Sequence, residues 1–356
     1  MIRIGSLFTG IGGLDFGHVP EWFCERDPFA RRVLAARFPG VPIYDDVTTL
    51  TGPEPIDVLT GGFPCQDVSV AGKQAGIEGE KTGLWRHMLR LTDELRPRVV
   101  IAENVANIQR SMAEIVREYE AIGYRMEATR IAASDLGAPH ERMRLLILAW
   151  REDVPVPWPI DEYGGTWARL RPRAVMVPRW RTGGAPTWTT LTAGDTGRTT
   201  KYAQGGNPLS SQVRDWPTAT ARDGSGDGPK VLDGRRGELL SQSVRESSVT
   251  ARDRKSSSTG TQGNSRPLSE CVVGPLNPDW CEILMGLPPS WTDPRGVPGE
   301  WPGWPMGRGP EQHPWEPPRM VAPRSVPHRA DRIRCLGNAV VPAVGAVAWR
   351  RVLSAL

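Results

Sequence analysis

Over the first 150 residues, short apolar runs alternate with stretches whose apolar positions recur every three to four residues. Residues 2–8 (IRIGSLF) run into a Gly-rich turn, and 21–27 (EWFCERD) read as a second strand. Residues 56–64 (IDVLTGGFP) and 98–105 (RVVIAENV) are further apolar runs, and 144–150 (RLLILAW) form a last buried strand. Between them, 28–38 (PFARRVLAARF) begins with a proline, which suits the first helical position. Residues 84–96 (LWRHMLRLTDELR) are amphipathic, and 111–123 (SMAEIVREYEAIG) end on Gly123, a residue type that closes helices in the left-handed conformation. Repeated strand–helix alternation predicts an α/β fold with a doubly wound, mostly parallel sheet. In such sheets ligands sit at the carboxyl ends of the strands, where the chemically notable residues of this chain fall.

From 151 to 272 the long periodicity is lost and Gly, Ser, Thr and Arg dominate. A degenerate repeat runs through this stretch. WTTLTAGD begins at Trp188, WPTATARD at Trp216 and SSVTARD at Ser247; each is followed by a Gly/Ser-rich stretch and then by PLSSQV at Pro208, LLSQSV at Leu239 or PLSECV at Pro267. A period near 30 residues predicts structural units that pack on one another. The aligned Asp195, Asp223 and Asp253 read as turn or cap formers. Residues 274–294 regain an apolar helical pattern, 295–330 read as an irregular Pro/Trp-rich loop or linker, and 331–356 read as a Gly-Asn turn followed by an apolar helix that docks on the first domain. The expected division is therefore 1–150, 151–272, 273–330 and 331–356.

Composition adds limits. The 356 residues are 39% hydrophobic and 24% charged, with a net charge of +4. No apolar run reaches the ~18 residues of a spanning helix, and the N-terminus shows no secretory pattern. A cytoplasmic protein is expected. Arginine supplies 39 of the 44 basic residues. Arginine suits bidentate contact with phosphate and guanine, although a GC-rich genome also favours it. Five cysteines (Cys24, Cys65, Cys271, Cys281, Cys335) without a C-x-x-C pair argue against a disulfide framework and a structural zinc site, so no metal is expected.

Four elements carry candidate chemistry. Phe8-Thr9-Gly10-Ile11-Gly12-Gly13 is a Gly-rich turn after the first strand, of the kind that lets a cofactor approach the backbone. Glu25 or Asp27 after the second strand is placed to bind ribose hydroxyls, and Asp46 follows a third strand. In Gly61-Gly62-Phe63-Pro64-Cys65-Gln66 a cysteine sits on a tight turn at a strand end, a setting for a reactive thiol rather than a core one. Glu103 of Ala102-Glu103-Asn104-Val105 ends another strand. Arg142 and Arg144 of Pro139-His140-Glu141-Arg142-Met143-Arg144 would point the same way in an extended chain.

In this order, F-x-G-x-G, D-x-L-x-G-G-F-P-C-Q, E-N-V, an R-x-R pair and a terminal G-N-A-V, the chain resembles the cytosine-5 DNA methyltransferases. The resemblance covers 1–150, about 274–293 and 332–356. It implies a Rossmann-like class I methyltransferase fold with a smaller irregular target recognition domain in the segment before residue 274. It implies S-adenosyl-L-methionine held by Phe8, Gly10, Gly12, Glu25 and Asp46, with Asn338 and Val340 closing over it. It implies Cys65 as nucleophile, Glu103 at the target ring, and Arg142 and Arg144 steadying that base. The implied substrate is double-stranded DNA, the implied enzyme a monomer, and the candidate companion a restriction endonuclease. A transfer RNA cytosine methyltransferase and a catalytically silent DNA-binding relative are the alternatives. His140 departs from the Gln of many members, and Glu282 to Pro288 match the penultimate motif only loosely.

Overall fold

The computed structural model describes residues 2–64, 83–154, 168–169, 188–196, 208–215, 274–309 and 311–353. Strands β1 (Ile4–Leu7), β2 (Trp22–Cys24), β3 (Ile43–Tyr44), β4 (Val58–Gly61), β5 (Val99–Val105), β6 (Tyr124–Ile131), β7 (Arg144–Arg151) and β8 (Ala168–Arg169) form one sheet in the order β3-β2-β1-β4-β5-β7-β6-β8. Neighbours from β3 to β5 pair in parallel, whereas β7 runs antiparallel to β5 and β6, and β8 antiparallel to β6. The chain builds outward from β1 to β3, then returns to β4 on the other side of β1. That reversal leaves a crevice beyond the carboxyl ends of β1 and β4.

The strands are buried on both faces. In β7, Leu145, Ile147 and Ala149 join one core, with Trp85, Met88 and Leu91 of α2 (Leu84–Leu95) and Met112, Ile115 and Val116 of α3 (Met112–Ala121). Leu146, Leu148 and Trp150 join the other, with Phe29 and Val33 of α1 (Pro28–Arg37). This second core continues into α4 (Leu209–Asp215), α5 (Pro278–Leu284), α6 (Arg329–Asn338) and α7 (Pro342–Leu353). Helices on both faces make the sheet doubly wound.

Local chemistry sets the element ends. Asp27 caps α1 by accepting the N–H groups of Phe29 and Ala30 at 2.9 Å, and Pro28 occupies the first turn. Gly123, at φ +80, follows α3 in the left-handed conformation. Strand β6 has no counterpart in the sequence reading. Its buried positions Tyr124, Met126 and Ala128 alternate with Arg125 and Glu127, a period of two that signals a strand even though charges interrupt it.

The two ends of the described chain meet. The Trp349 indole N–H donates to the Leu14 carbonyl at 2.9 Å. A Cβ on Gly345 would lie 2.8 Å from the Leu14 carbonyl oxygen, and one on Gly13 would strike the Val340 carbonyl oxygen. The Gly-rich turn and the segment joining α6 to α7 thus touch backbone to backbone, as expected from the apolar C-terminal helix. Gly13 has no positive φ, so the obstacle to a side chain is steric. Gly13→Ala should cost ~1–3 kcal/mol, the usual range for overpacking, read as a lower urea midpoint at unchanged slope.

Two expectations change. Gly337 and Asn338 are the last residues of α6, not a separate turn. Helix geometry there serves close packing, because a Cβ on Gly337 would strike the backbone of Thr192 and Ala193. Residues 295–309 and 311–328 are irregular but not a free linker, and 329–330 already belong to α6. Arg319 is fully buried; its guanidinium donates to the carbonyls of Gly309 and Glu311 at 2.6 Å and lies 4.8 Å from the Trp188 ring centroid. Buried Glu316 accepts from the Met306 and His313 amides and the Trp280 indole. These polar anchors hold a segment that has little regular hydrogen bonding of its own.

Of the repeat segment, only parts of the first unit, 188–196 and 208–215, are described. Asp195 accepts the backbone N–H and hydroxyl of Thr192, each at 2.8 Å, so it forms a turn as expected. The Gln212 side chain accepts the Thr189 amide at 2.9 Å, joining α4 to the start of the unit. Asp223 and Asp253 lie outside the described residues.

Candidate active site

At the carboxyl ends of β1, β2, β4 and β5 the crevice opens into a cleft of about 400 Å³. Its wall includes Phe8, Gly10, Glu25, Asp46, Glu103, Arg144 and Asn338, drawn together from the whole length of the chain. Gly62, Phe63 and Pro64 also line it. Cys65, bonded to Pro64, lies outside the described residues.

One end of the cleft is a backbone loop held by an acid. Glu25 accepts the amides of Gly10 at 2.6 Å and Asp27 at 2.7 Å, and its burial raises its pKa. Phe8 at φ +52 and Gly10 at φ +59 are both left-handed. For phenylalanine that conformation is uncommon, and such strain gathers at functional sites. Open space lies where a Gly10 Cβ would stand, so a flat or polar group can approach the backbone. Asp46 accepts the amide and hydroxyl of Thr48 at 2.8 Å, and these two bonds hold its pKa down.

The other end carries the paired charges. Glu103 Oε1 lies 2.7 Å from Arg144 Nε, a charge contact between side chains only 10% and 16% exposed. Glu103 Oε2 lies 3.4 Å from where a Gly62 Cβ would stand, so glycine there leaves room for the carboxylate. The next residue, Asn104, donates its side-chain amide to the Phe63 carbonyl at 2.9 Å and accepts the Val105 amide. The end of β5 is thereby tied to the segment that leads into Cys65.

Three sequence candidates stand elsewhere. Gly12, at φ +82, packs against Phe38 and Leu34 behind the loop. Val340 stands behind Gly62, its Cγ2 3.9 Å from a Cβ placed there. Arg142 does not share a direction with Arg144. Its backbone is left-handed, φ +36, and its buried guanidinium donates to the carbonyls of Leu191, Gly337 and Ala339. The extended geometry assumed for the R-x-R pair fails at this kink.

A model of the C-5 cytosine-specific DNA methylases matches residues 2–295. The chain belongs to this family. Among curated relatives, the Bacillus subtilis type II methyltransferase M2.BsuMI is 35% identical over 162 residues, 42% of each chain. The type II methyltransferase M.CviJI of Paramecium bursaria Chlorella virus IL3A is 35% identical over 160 residues, 42% of this chain and 44% of that one. The match to these relatives spans less than half their length. Among solved structures, a Spodoptera frugiperda DNMT2 superposes with a TM-score of 0.53 at 14% identity, covering 99% of this chain and 100% of that one. A putative DNA modification methyltransferase encoded within an Escherichia coli prophage gives 0.51 at 19% identity, covering 100% and 99%. At such identity these two likenesses bear on the fold.

The departure at His140 has a physical explanation. The ring is buried, its Nε2 lies 2.8 Å from the Leu284 carbonyl, and burial together with Arg142 lowers its pKa to about 3. A neutral ring donating one N–H to a carbonyl does what a glutamine amide can do. The pKa is depressed on folding, so the unfolded chain takes up a proton first and stability is lost as pH falls below the ordinary value of 6.5 towards about 3. His140→Gln should flatten that acid limb of the stability profile in urea titrations between pH 4 and 7. An unchanged limb would mean that His140 is protonated in the fold.

The cleft also contains a partner for Asp27, and neighbours, that local pattern did not single out for this site. Asp27, besides capping α1, forms an ion pair with Arg334 of α6, and both line the cleft with Arg26 and Cys335. Nothing local announces a partner 307 positions away. Arg332 and Glu282 form a buried ion pair at 2.8 Å, and Thr292 donates to the same carboxylate. The loosely matched stretch from Glu282 thus has a structural task. Among the described residues no helix is long and apolar enough to cross a membrane.

Proposed function

We propose that this methylase transfers a methyl group from S-adenosyl-L-methionine to carbon 5 of cytosine in double-stranded DNA, through a covalent adduct on Cys65. The observation that carries the reading is the convergence in one cleft of the Glu103–Arg144 pair with Pro64, and of Phe8, Gly10, Glu25 and Asp46 opposite them. The cleft volume falls in the range of small-molecule sites. The open backbone at Gly10 and the carboxylate of Glu25 suit an adenosyl group, and both are present without rearrangement. Phe8, Gly10, Glu25, Asp46 and Asn338 would hold it; Gly12 and Val340 shape the wall from behind.

Carbon 5 of cytosine is a poor nucleophile. A Cys65 thiolate adding to ring carbon 6 breaks the aromatic system and makes carbon 5 enamine-like. A carboxyl held at ring nitrogen 3 eases that addition, and Glu103 is the carboxyl at the right end of the cleft. Arg144, fixed against Glu103 Oε1, orients it. When bound, S-adenosylmethionine supplies the electrophilic methyl that carbon 5 takes. Loss of the carbon 5 proton then expels Cys65. A stacked base cannot enter the cleft, so the cytosine flips out, at a cost of a few kcal/mol.

The repeat-bearing segment is the candidate reader of the flanking sequence. Its arginines and lysines supply phosphate and base-edge contacts. The type II methyltransferases among the relatives support a role beside a restriction endonuclease, in the cytoplasm of a bacterial or phage-infected cell. The enzyme acts as a monomer in this reading. The test offers tritiated-methyl S-adenosylmethionine with duplex DNA or bulk tRNA, followed by methylation-aware sequencing of the DNA. Label in DNA at one recurring cytosine context supports the proposal. Label in tRNA alone, or in neither, overturns it.

A further inference from the structure

Arg142 is a buried cation whose two terminal nitrogens donate to backbone carbonyls. Nη1 donates to Leu191 O at 2.8 Å, and Nη2 donates to Gly337 O at 2.9 Å and Ala339 O at 2.6 Å. Its backbone amide donates to Thr190 Oγ1 at 3.0 Å. Burial lowers its pKa, with Arg144 adding to the effect and Glu103 opposing it. A guanidinium fork holds fixed angles between its donors, and a buried donor or acceptor left unpaired is costly. The carbonyls it joins cannot part without leaving such groups.

Those carbonyls belong to two different places. Leu191 stands at the root of the repeat segment. That root is also held by the Trp188 amide donating to Pro139 O at 2.6 Å, by the Trp188 indole donating to Met306 O at 3.0 Å, and by Arg319 over the indole face. Gly337 and Ala339 flank Asn338 on the wall of the cleft, and Gly337 lies against the backbone of Thr192 and Ala193. Arg142 is two residues from Arg144, so the same turn also sets the start of β7, where Arg144 meets Glu103.

We propose that Arg142 is a positioning residue that couples the two binding events. Occupancy of the cleft by an adenosyl ligand orders the root of the repeat segment, and DNA held by that segment orders the cleft wall around Asn338. The proposal rests on the function inferred above, and the coupling is reciprocal by linkage. A residue acting only on the target base would leave the two sites independent. A residue acting only on stability would weaken both without changing their interdependence.

Amide hydrogen exchange on the whole wild-type chain, with and without saturating S-adenosylhomocysteine, reads this directly. Exchange at 188–196 should slow by about fivefold or more, the lower end of ordinary allosteric couplings. Calorimetry on the same sample establishes that the ligand binds. If no ligand binds, the cofactor reading falls and this coupling with it. If it binds without slowing exchange at 188–196, the cofactor reading stands and the coupling is overturned. Arg142→Lys then assigns the carrier, because an ammonium keeps the charge but cannot fork across three carbonyls. The variant should bind S-adenosylhomocysteine with nearly unchanged affinity and show little slowing at 188–196. Full slowing in the variant would remove Arg142 from the role. The wild-type comparison decides the coupling whether or not the variant folds.

Discussion

Cys65→Ala should reduce methyl transfer to background while leaving S-adenosylmethionine binding nearly intact. The described thiols support the choice by their own chemistry. Cys24 and Cys335 are buried, and burial pushes each thiol up to about 12; Cys281 is buried as well, and its burial also raises its pKa well above the ordinary value. At neutral pH such groups remain thiols, and the thiolate is the nucleophile. Cys65 follows Pro64, which lines the cleft, and Asn104 anchors the Phe63 carbonyl just before it. Duplex DNA carrying 5-fluorocytosine at the target should trap a denaturation-resistant adduct with the wild type, since fluorine cannot leave as a proton does. The Ala variant should form none. Turnover retained in Cys65→Ala would overturn the covalent mechanism.

What was legible in the chain depended on the range of the interaction. The strands β1, β2, β4, β5 and β7 follow from continuous apolar runs, and α1 to α3 from periodicity with a proline or glycine at an end. Six of the seven candidate site residues in the cleft reach it because strand ends carry them there, whatever the details of packing, and Asn338 arrives on the end of α6. Strand β6 escaped because charged residues fill its alternate positions. Arg142 escaped because its direction depends on a single left-handed φ and on carbonyls 49, 195 and 197 positions away. Arg319 and Glu316 look like ordinary charges in a proline-rich loop, yet they are the buried anchors that hold it. Side chain-to-backbone bonds of this length leave no periodic trace.

Glu103→Gln should slow the chemical step by roughly 10²–10⁴-fold, the usual range for one positioned proton-transfer group, with DNA affinity little changed. Glutamine keeps the shape, and its amide can still hydrogen-bond in the space that Gly62 leaves. It loses the carboxyl that would act at ring nitrogen 3, and it loses the charge that holds Arg144 at 2.7 Å. Single-turnover rates with saturating DNA separate chemistry from binding. A variant that loses DNA binding at an unchanged single-turnover rate would make Glu103 a positioning residue instead. Arg144 supplies the internal control. Touching groups do not act independently, so Arg144→Met in the Glu103→Gln background should slow the reaction much less than it does alone. Full additivity of the two losses would mean that the ion pair seen at the end of β5 is not the working unit of the site.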